Sequence, residues 1–251
     1  MNYEIGPILE GWEYEPDDLT VRLIRGDDGR EKIQVRLNLG VLQMETDGRP
    51  DGKQPHGFET LLDYLEDRAI RHEESEGGAA NFTLTSDDCD DLLREGVQYY
   101  HRYLSFFHLG RYELVARDTA RNLRLFAFIL AHTDEKADEW RFDQYRPYVI
   151  MMNARARTML RLQDNDYEGA FDVIDEGIGS IHGFLSEYSF QEQEEDCAEL
   201  AFLKQWREKI REEQPLGRIE QLERKLQQAV DAECYERAAE LRDRIHRLRE
   251  R

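Results

Sequence analysis

Arg117, Arg121 and Arg124 recur at steps of four and three, and Arg155 or Arg157 with Arg161 repeats the pattern further along the chain. On a helix such intervals put side chains on one face. A guanidinium is a planar fork of donors, suited to holding a carboxylate or phosphate through paired hydrogen bonds. If both helices line one wall, Arg117, Arg121, Arg124, Arg155 and Arg161 form a groove for an acidic peptide, a chain carboxyl terminus or a phosphate. The competing use is pairing with the chain's own 54 aspartates and glutamates.

Other chemistry has less support. None of the seven histidines follows a glutamate by three residues, as the di-iron bundles require. His72-Glu73-Glu74-Ser75-Glu76 starts like a zinc-protease helix but has no second histidine. His101 and His108 share a face amid Tyr99, Tyr100, Tyr103, Phe106 and Phe107, which reads as packing or rim. The stretch Gly177-Ile178-Gly179-Ser180-Ile181-His182-Gly183 has the wrong spacing and setting for a phosphate loop, and close helix approach explains its glycines better. Ser180 and His182 lack a third residue to make a nucleophile and base. The sequence therefore assigns no catalytic residue, no metal ligand and no cofactor.

The expected fold is mostly α, with a small α+β module over residues 1–80, a helical array over 81–214 and a helical hairpin over 215–251. Apolar residues alternate at Val21 and Leu23, and again at Ile33, Val35, Leu37 and Leu39, about the turn Gly26-Asp27-Asp28-Gly29, predicting a β-hairpin. Residues 3–8 and 12–15 offer edge strands, and Gly40 a bend before residues 41–44. A loop over 47–52 precedes a helix carrying Phe58, Leu61, Leu62, Leu65 and Ala69, and a charged, Gly-rich linker follows. Ser86 with Asp87, Asp88 and Asp90 makes a good helix start. Helices are expected over 87–108, 111–132, 147–163, 167–187 and 192–212, with an irregular segment over 133–146. Pro147 suits a first helical turn, and Pro215 breaks the chain before the last segment.

Two helix junctions, Leu109-Gly110-Arg111-Tyr112-Glu113 with Ala116 and Asn165-Asp166-Tyr167-Glu168-Gly169-Ala170, resemble tetratricopeptide turns. The resemblance implies a helical-hairpin array, although the junctions are 55 residues apart against about 34 in that family.

In the last segment, Ile219, Leu222, Leu226 and Ala229 step by three, four and three, and Ala238, Leu241, Ile245 and Leu248 repeat the steps. Residues 231–235 between them suffice only for a tight turn, so the two stripes should zip face to face. Ile219-x-x-Leu222, Ala229, Tyr235-Glu236-x-Ala238-Ala239 and Leu241-Arg242-Asp243-x-Ile245-x-x-Leu248 resemble the UVR domain. That helical hairpin occurs in the UvrB and UvrC excision-nuclease proteins, in an activator of protein-arginine kinase and in Clp-type ATPases. Cys234 stands where the family usually carries an acidic or polar residue. The resemblance implies helix-to-helix binding, with Tyr235, Arg242 and Asp243 packing the turn and touching the partner, while Leu222, Leu226, Ala238, Leu241, Ile245 and Leu248 build the apolar surface.

The formal charge is −20; residues 216–251 carry nine basic and eight acidic residues, which leaves the first 215 at −21. So acidic a body repels nucleic acid, making direct binding a poor expectation. No run spans a bilayer and no signal opens the chain, so a soluble, cytosolic location is expected without a membrane role. Cys89, Cys197 and Cys234 are odd in number without CxxC spacing, as befits plain thiols. The functional expectation is a non-enzymatic adaptor whose terminal hairpin docks a protein partner or a second copy of the chain. One alternative is an accessory role in nucleotide-excision repair through UvrB- or UvrC-type pairing. Another is an enzyme with its site assembled in the helical array.

Overall fold

The computed structural model describes residues 4–76, 82–214, 218–231 and 234–249. Alternating apolar residues produce a three-stranded antiparallel meander of β1 (Val21–Arg25), β2 (Glu31–Leu37) and β3 (Gly40–Glu45), in that order. Leu23 pairs with Ile33 and Ile33 with Met44, while Val21 pairs with Val35. This register puts Ile33, Val35 and Met44 on one buried face. Gly40 does not bend a strand: it opens β3 opposite Leu37, so Asn38 and Leu39 make a two-residue turn. The edge strands expected over 3–8 and 12–15 are not formed among the described residues. Instead Gly6–Leu9 is a one-turn helix, α1, because Pro7 fits a first helical turn and has no N–H to offer a ladder.

Among the described residues up to 214, seven longer helices follow: α2 (Leu61–Glu76), α3 (Ser86–His108), α4 (Tyr112–His132), α5 (Lys136–Asp143), α6 (Arg146–Gln163), α7 (Tyr167–Glu187) and α8 (Ala198–Glu213). The cap of α3 lies one residue earlier than Ser86. Thr85 Oγ1 accepts from the Asp88 N–H at 3.1 Å, and Asp88 Oδ2 accepts from the Thr85 N–H at 3.1 Å. The two donors are thus satisfied reciprocally. The segment expected to be irregular contains α5, and a 3-10 stretch over Gln191–Asp196 precedes α8.

Both repeat-like junctions share one geometry. Gly110 and Asn165 adopt left-handed φ values of 69° and 58°, and the N–H one residue on reaches back to Phe106 O and Arg161 O, each at 2.9 Å. Left-handed residues end helices this way because the reversal lets the orphan carbonyls find partners. The end of α7 repeats it, with Ser189 at φ 58° and Phe190 N–H bonded to Leu185 O at 2.7 Å. Gly177 marks a close helix approach, since a Cβ there would lie 2.9 Å from that of Ala154.

The chain divides into two compact units, Met1–Lys204 and Gln205–Arg251. Within the first, Leu62, Leu65 and Ala69 of α2 share one core with Leu92, Leu125, Ile129, Phe142 and Val149. The helix that the sequence groups with the sheet therefore packs as part of the array. The second unit holds the hairpin of α9 (Arg218–Asp231) and α10 (Tyr235–Arg249), as the heptad-like stripes predict. Among the described residues, no helix is long and apolar enough to cross a membrane.

Candidate interaction hairpin and arginine sites

In the hairpin, the apolar stripes face each other. Leu222 and Ala229 of α9 meet Ala238, Leu241 and Ile245 of α10 in a small core, and Leu226 packs against it. The chain reverses through Cys234, whose N–H bonds Ala229 O at 2.8 Å and whose carbonyl accepts from the Ala238 N–H at 3.0 Å. The side chains of Ile219 and Leu248, expected in the same seam, lie outside the described residues. Leu222, Ala238, Leu241 and Ile245 are thus spent on the hairpin's own interior. Val230, Tyr235, Ala239, Arg242 and Asp243 are among the residues it presents outward. Tyr235 is 68% exposed, and Arg242 Nη2 lies 3.1 Å from Asp243 Oδ1.

The arginines on α4 do reach one cleft, of about 560 Å³, but its other wall carries Asp47, Glu59 and Asp63. Arg124 pairs with Asp63 and lies 3.2 Å from Glu66 Oε1. Arg117 reaches Asp47 at 2.9 Å and Asp118 at 3.0 Å, and donates to Thr46 O at 2.8 Å. Arg121, almost buried, pairs with Glu95 and stands 4.2 Å over the Tyr99 ring. Burial pushes the Arg121 guanidinium down from its ordinary pKa, and the Glu95 carboxylate opposes that shift. The geometry makes these cations fasteners within the chain.

Two buried residues that the sequence reading missed complete the fastening. Glu95 of α3 is fully buried, and its carboxylate accepts from the Leu61 N–H at 2.8 Å and the Leu62 N–H at 3.2 Å. A side chain on one helix thereby caps the start of α2, satisfying donors that have no partner inside α2. Arg102, 1% exposed, grips Asp118 through Nε at 2.7 Å and Nη2 at 2.9 Å, and its Nη1 donates to Glu45 O and Gly48 O. The loop after β3 is held on α3 and α4 by these contacts and by Tyr99 Oη donating to Gly48 O at 3.2 Å. A signal was present in the sequence. Leu92, Glu95, Tyr99, Arg102 and Phe106 step along one face of α3, so a carboxylate and a guanidinium occupy an otherwise core-facing stripe.

Arg155 and Arg161 do not join that cleft. Arg161 pairs with Asp166 at 3.2 Å beside the α6–α7 junction, and Arg157 with Glu176 at 2.8 Å. Arg155 stands over the rings of Phe107 and Phe202 instead. Of the cysteines, Cys89 is buried, and burial with the Asp138 and Asp88 carboxylates pushes its thiol up to about 11, so it is protonated at neutral pH. Among the described residues, no group of three His, Cys, Asp or Glu side chains is placed to hold a metal ion.

No curated protein and no solved structure matches the chain. Its terminal segment does match a family model. Residues 217–251, the hairpin built on the Leu222, Ala229, Ala238, Leu241 and Ile245 core, match the UVR family, the UvrB/uvrC motif.

Proposed function

We propose that the chain is a protein-docking adaptor whose C-terminal hairpin binds a helical element of a protein partner. The observation that carries this reading is the UvrB/uvrC-motif match falling on a self-contained hairpin that leaves Tyr235 and Val230 outside its small core. Two helices of 14 and 15 residues joined by five buried apolar side chains are marginal alone, because ordering the backbone offsets most of what so little burial contributes. A partner helix laid against the outer face supplies further apolar burial. Tyr235 is suited to anchor it, since an aromatic ring buries a large area while its hydroxyl stays hydrated. Arg242 and Asp243 would set register through rim charges.

A second reading, participation in nucleotide-excision repair, is favoured by the motif itself and would follow from UvrB- or UvrC-type pairing. The acidic first 215 residues favour a protein over DNA as the direct contact. The test uses Tyr235→Asp with Arg242→Glu, exposed positions whose replacement leaves the hairpin core in place. Partners cross-linked to the wild-type chain should be lost from the variant while its circular dichroism is unchanged; equal recovery would refute hairpin docking. Titration against purified UvrB and UvrC separates the repair reading from the general one.

A further inference from the structure

We propose that Arg155 anchors a second docking site, one that takes a single carboxylate on an otherwise uncharged, apolar-flanked segment of a partner. Among the described residues, every other arginine from Ser86 to Glu213 lies within 3.6 Å of a carboxylate oxygen. Arg155 makes no ion pair there. Its Cζ lies 4.3 Å from the Phe107 ring centre and 4.7 Å from that of Phe202, and Nη1 reaches only the Met152 sulfur at 3.6 Å. Glu199 acts on the nearby Tyr148 phenol but makes no ion pair with Arg155.

Within the helices of residues 86–213 a guanidinium without a carboxylate is therefore conspicuous; Arg22 and Arg36 of the sheet also lack one, but their donors are taken by Gln34 and by carbonyl oxygens. Burial pushes its pKa down, opposed by the Tyr148 and Tyr112 phenols, so the cation is partly desolvated and uncompensated. Two rings hold it through their faces, which fixes its plane and leaves its donors available. Phe107, Tyr112, Tyr148, Arg155 and Phe202 are all only partly buried, so an incoming group reaches them from solvent.

The surroundings select the ligand. A flat carboxylate matches the guanidinium edge through two parallel hydrogen bonds, and the aromatic flanks favour apolar neighbours on the same segment. The −21 body disfavours a ligand of many negative charges. The carboxylate can come from a chain terminus or from an Asp or Glu side chain. This site lies within the Met1–Lys204 unit, so its failure would leave hairpin docking untouched.

The test follows the Arg155 Nε–H correlation in an NMR spectrum of the full chain. The probes are N-acetyl-Ala-Ala-Phe with a free carboxylate, N-acetyl-Ala-Glu-Phe amide, N-acetyl-Ala-Ala-Phe amide and inorganic phosphate. At least one carboxylate peptide should give a saturable shift with half-saturation on the order of 1 mM, as suits one paired contact. The first two peptides tell a terminal carboxylate from a side-chain one, and the uncharged amide should give none. Arg155→Lys should bind about tenfold more weakly, having lost the fork. Arg155→Gln should abolish the saturable peptide-induced shifts, read at the Tyr112 and Tyr148 rings, while the circular dichroism stays that of the wild type, because the stacking on Phe107 and Phe202 that it loses is a surface contact. No saturable shift with either carboxylate peptide, an equal shift with the amide, or a shift with phosphate alone would overturn the proposal.

Discussion

Replacing Glu95 by glutamine keeps the shape of a fully buried side chain and removes its charge, so it isolates what that charge does. In the native chain the carboxylate answers two N–H donors at the start of α2, the Arg121 guanidinium and, at 3.5 Å, Arg49. The amide of Glu95→Gln would offer one oxygen where two served, and turn an NH₂ group toward donors. Arg121, whose side chain is 9% exposed, would be left without its carboxylate. Breaking one partner of a buried pair costs about 3 to 5 kcal/mol. For a unit of this size, that lowers the melting temperature by roughly 6 to 20 °C. Thermal denaturation followed by circular dichroism reads the loss, and hydrogen exchange at the Leu61 and Leu62 amides reads its place. Adding Arg121→Met should recover a large part, because the stranded cation is then gone. A fall of less than about 2 °C, with both amides as protected as in the wild type, would refute the reasoning.

Gly177→Val should destabilise by about 1 to 3 kcal/mol, since its Cβ would already sit 2.9 Å from that of Ala154. Gly179→Ala, two residues on and with nothing within 4 Å, should instead stabilise α7 by about 0.5 to 1 kcal/mol; equal effects in urea denaturation would contradict the packing. Burial raises the Asp143 carboxyl, opposed by the Tyr188 hydroxyl and Arg146, and its Oδ1 has no hydrogen-bond partner among the described residues. A folded-state pKa above the unfolded 3.8 stabilises most below that value and loses the contribution as pH rises through the raised one. Relative to Asp143→Asn, wild-type stability should therefore fall as pH climbs from 3.8; a flat or rising difference between their denaturation profiles would count against it.

The hairpin is legible in the sequence because one stripe of apolar residues at steps of three and four has few alternatives to zipping against its copy. The meander and the long helices are legible for the same reason, period two against period 3.6. The arginines are legible as a set but not in their use. Arg121 meets a carboxylate 26 residues away, Arg124 one 61 away and Arg117 one 70 away, distances that only the folded chain closes. Glu95 and Arg102 escape notice because a charged residue reads as surface, although each stands in line with Leu92, Tyr99 and Phe106. The junction at 109–113 and that at 165–170 look alike because both end a helix with a left-handed residue, a local rule that does not fix the spacing between them.

The cap on α2 also sets an order of events at the ribosome. When residue 76 has been joined, neither the Glu95 carboxylate nor the Leu125 and Ile129 side chains that receive Leu62 and Leu65 have been made. Synthesis needs another 53 residues to reach Ile129, roughly 3 to 10 s at ordinary elongation rates. Through that interval α2 has an apolar face without a core and a first turn without its acid. The first turn and apolar face of α2 must wait for α3 and α4 to emerge, so α2 cannot finish folding before the helices made after it.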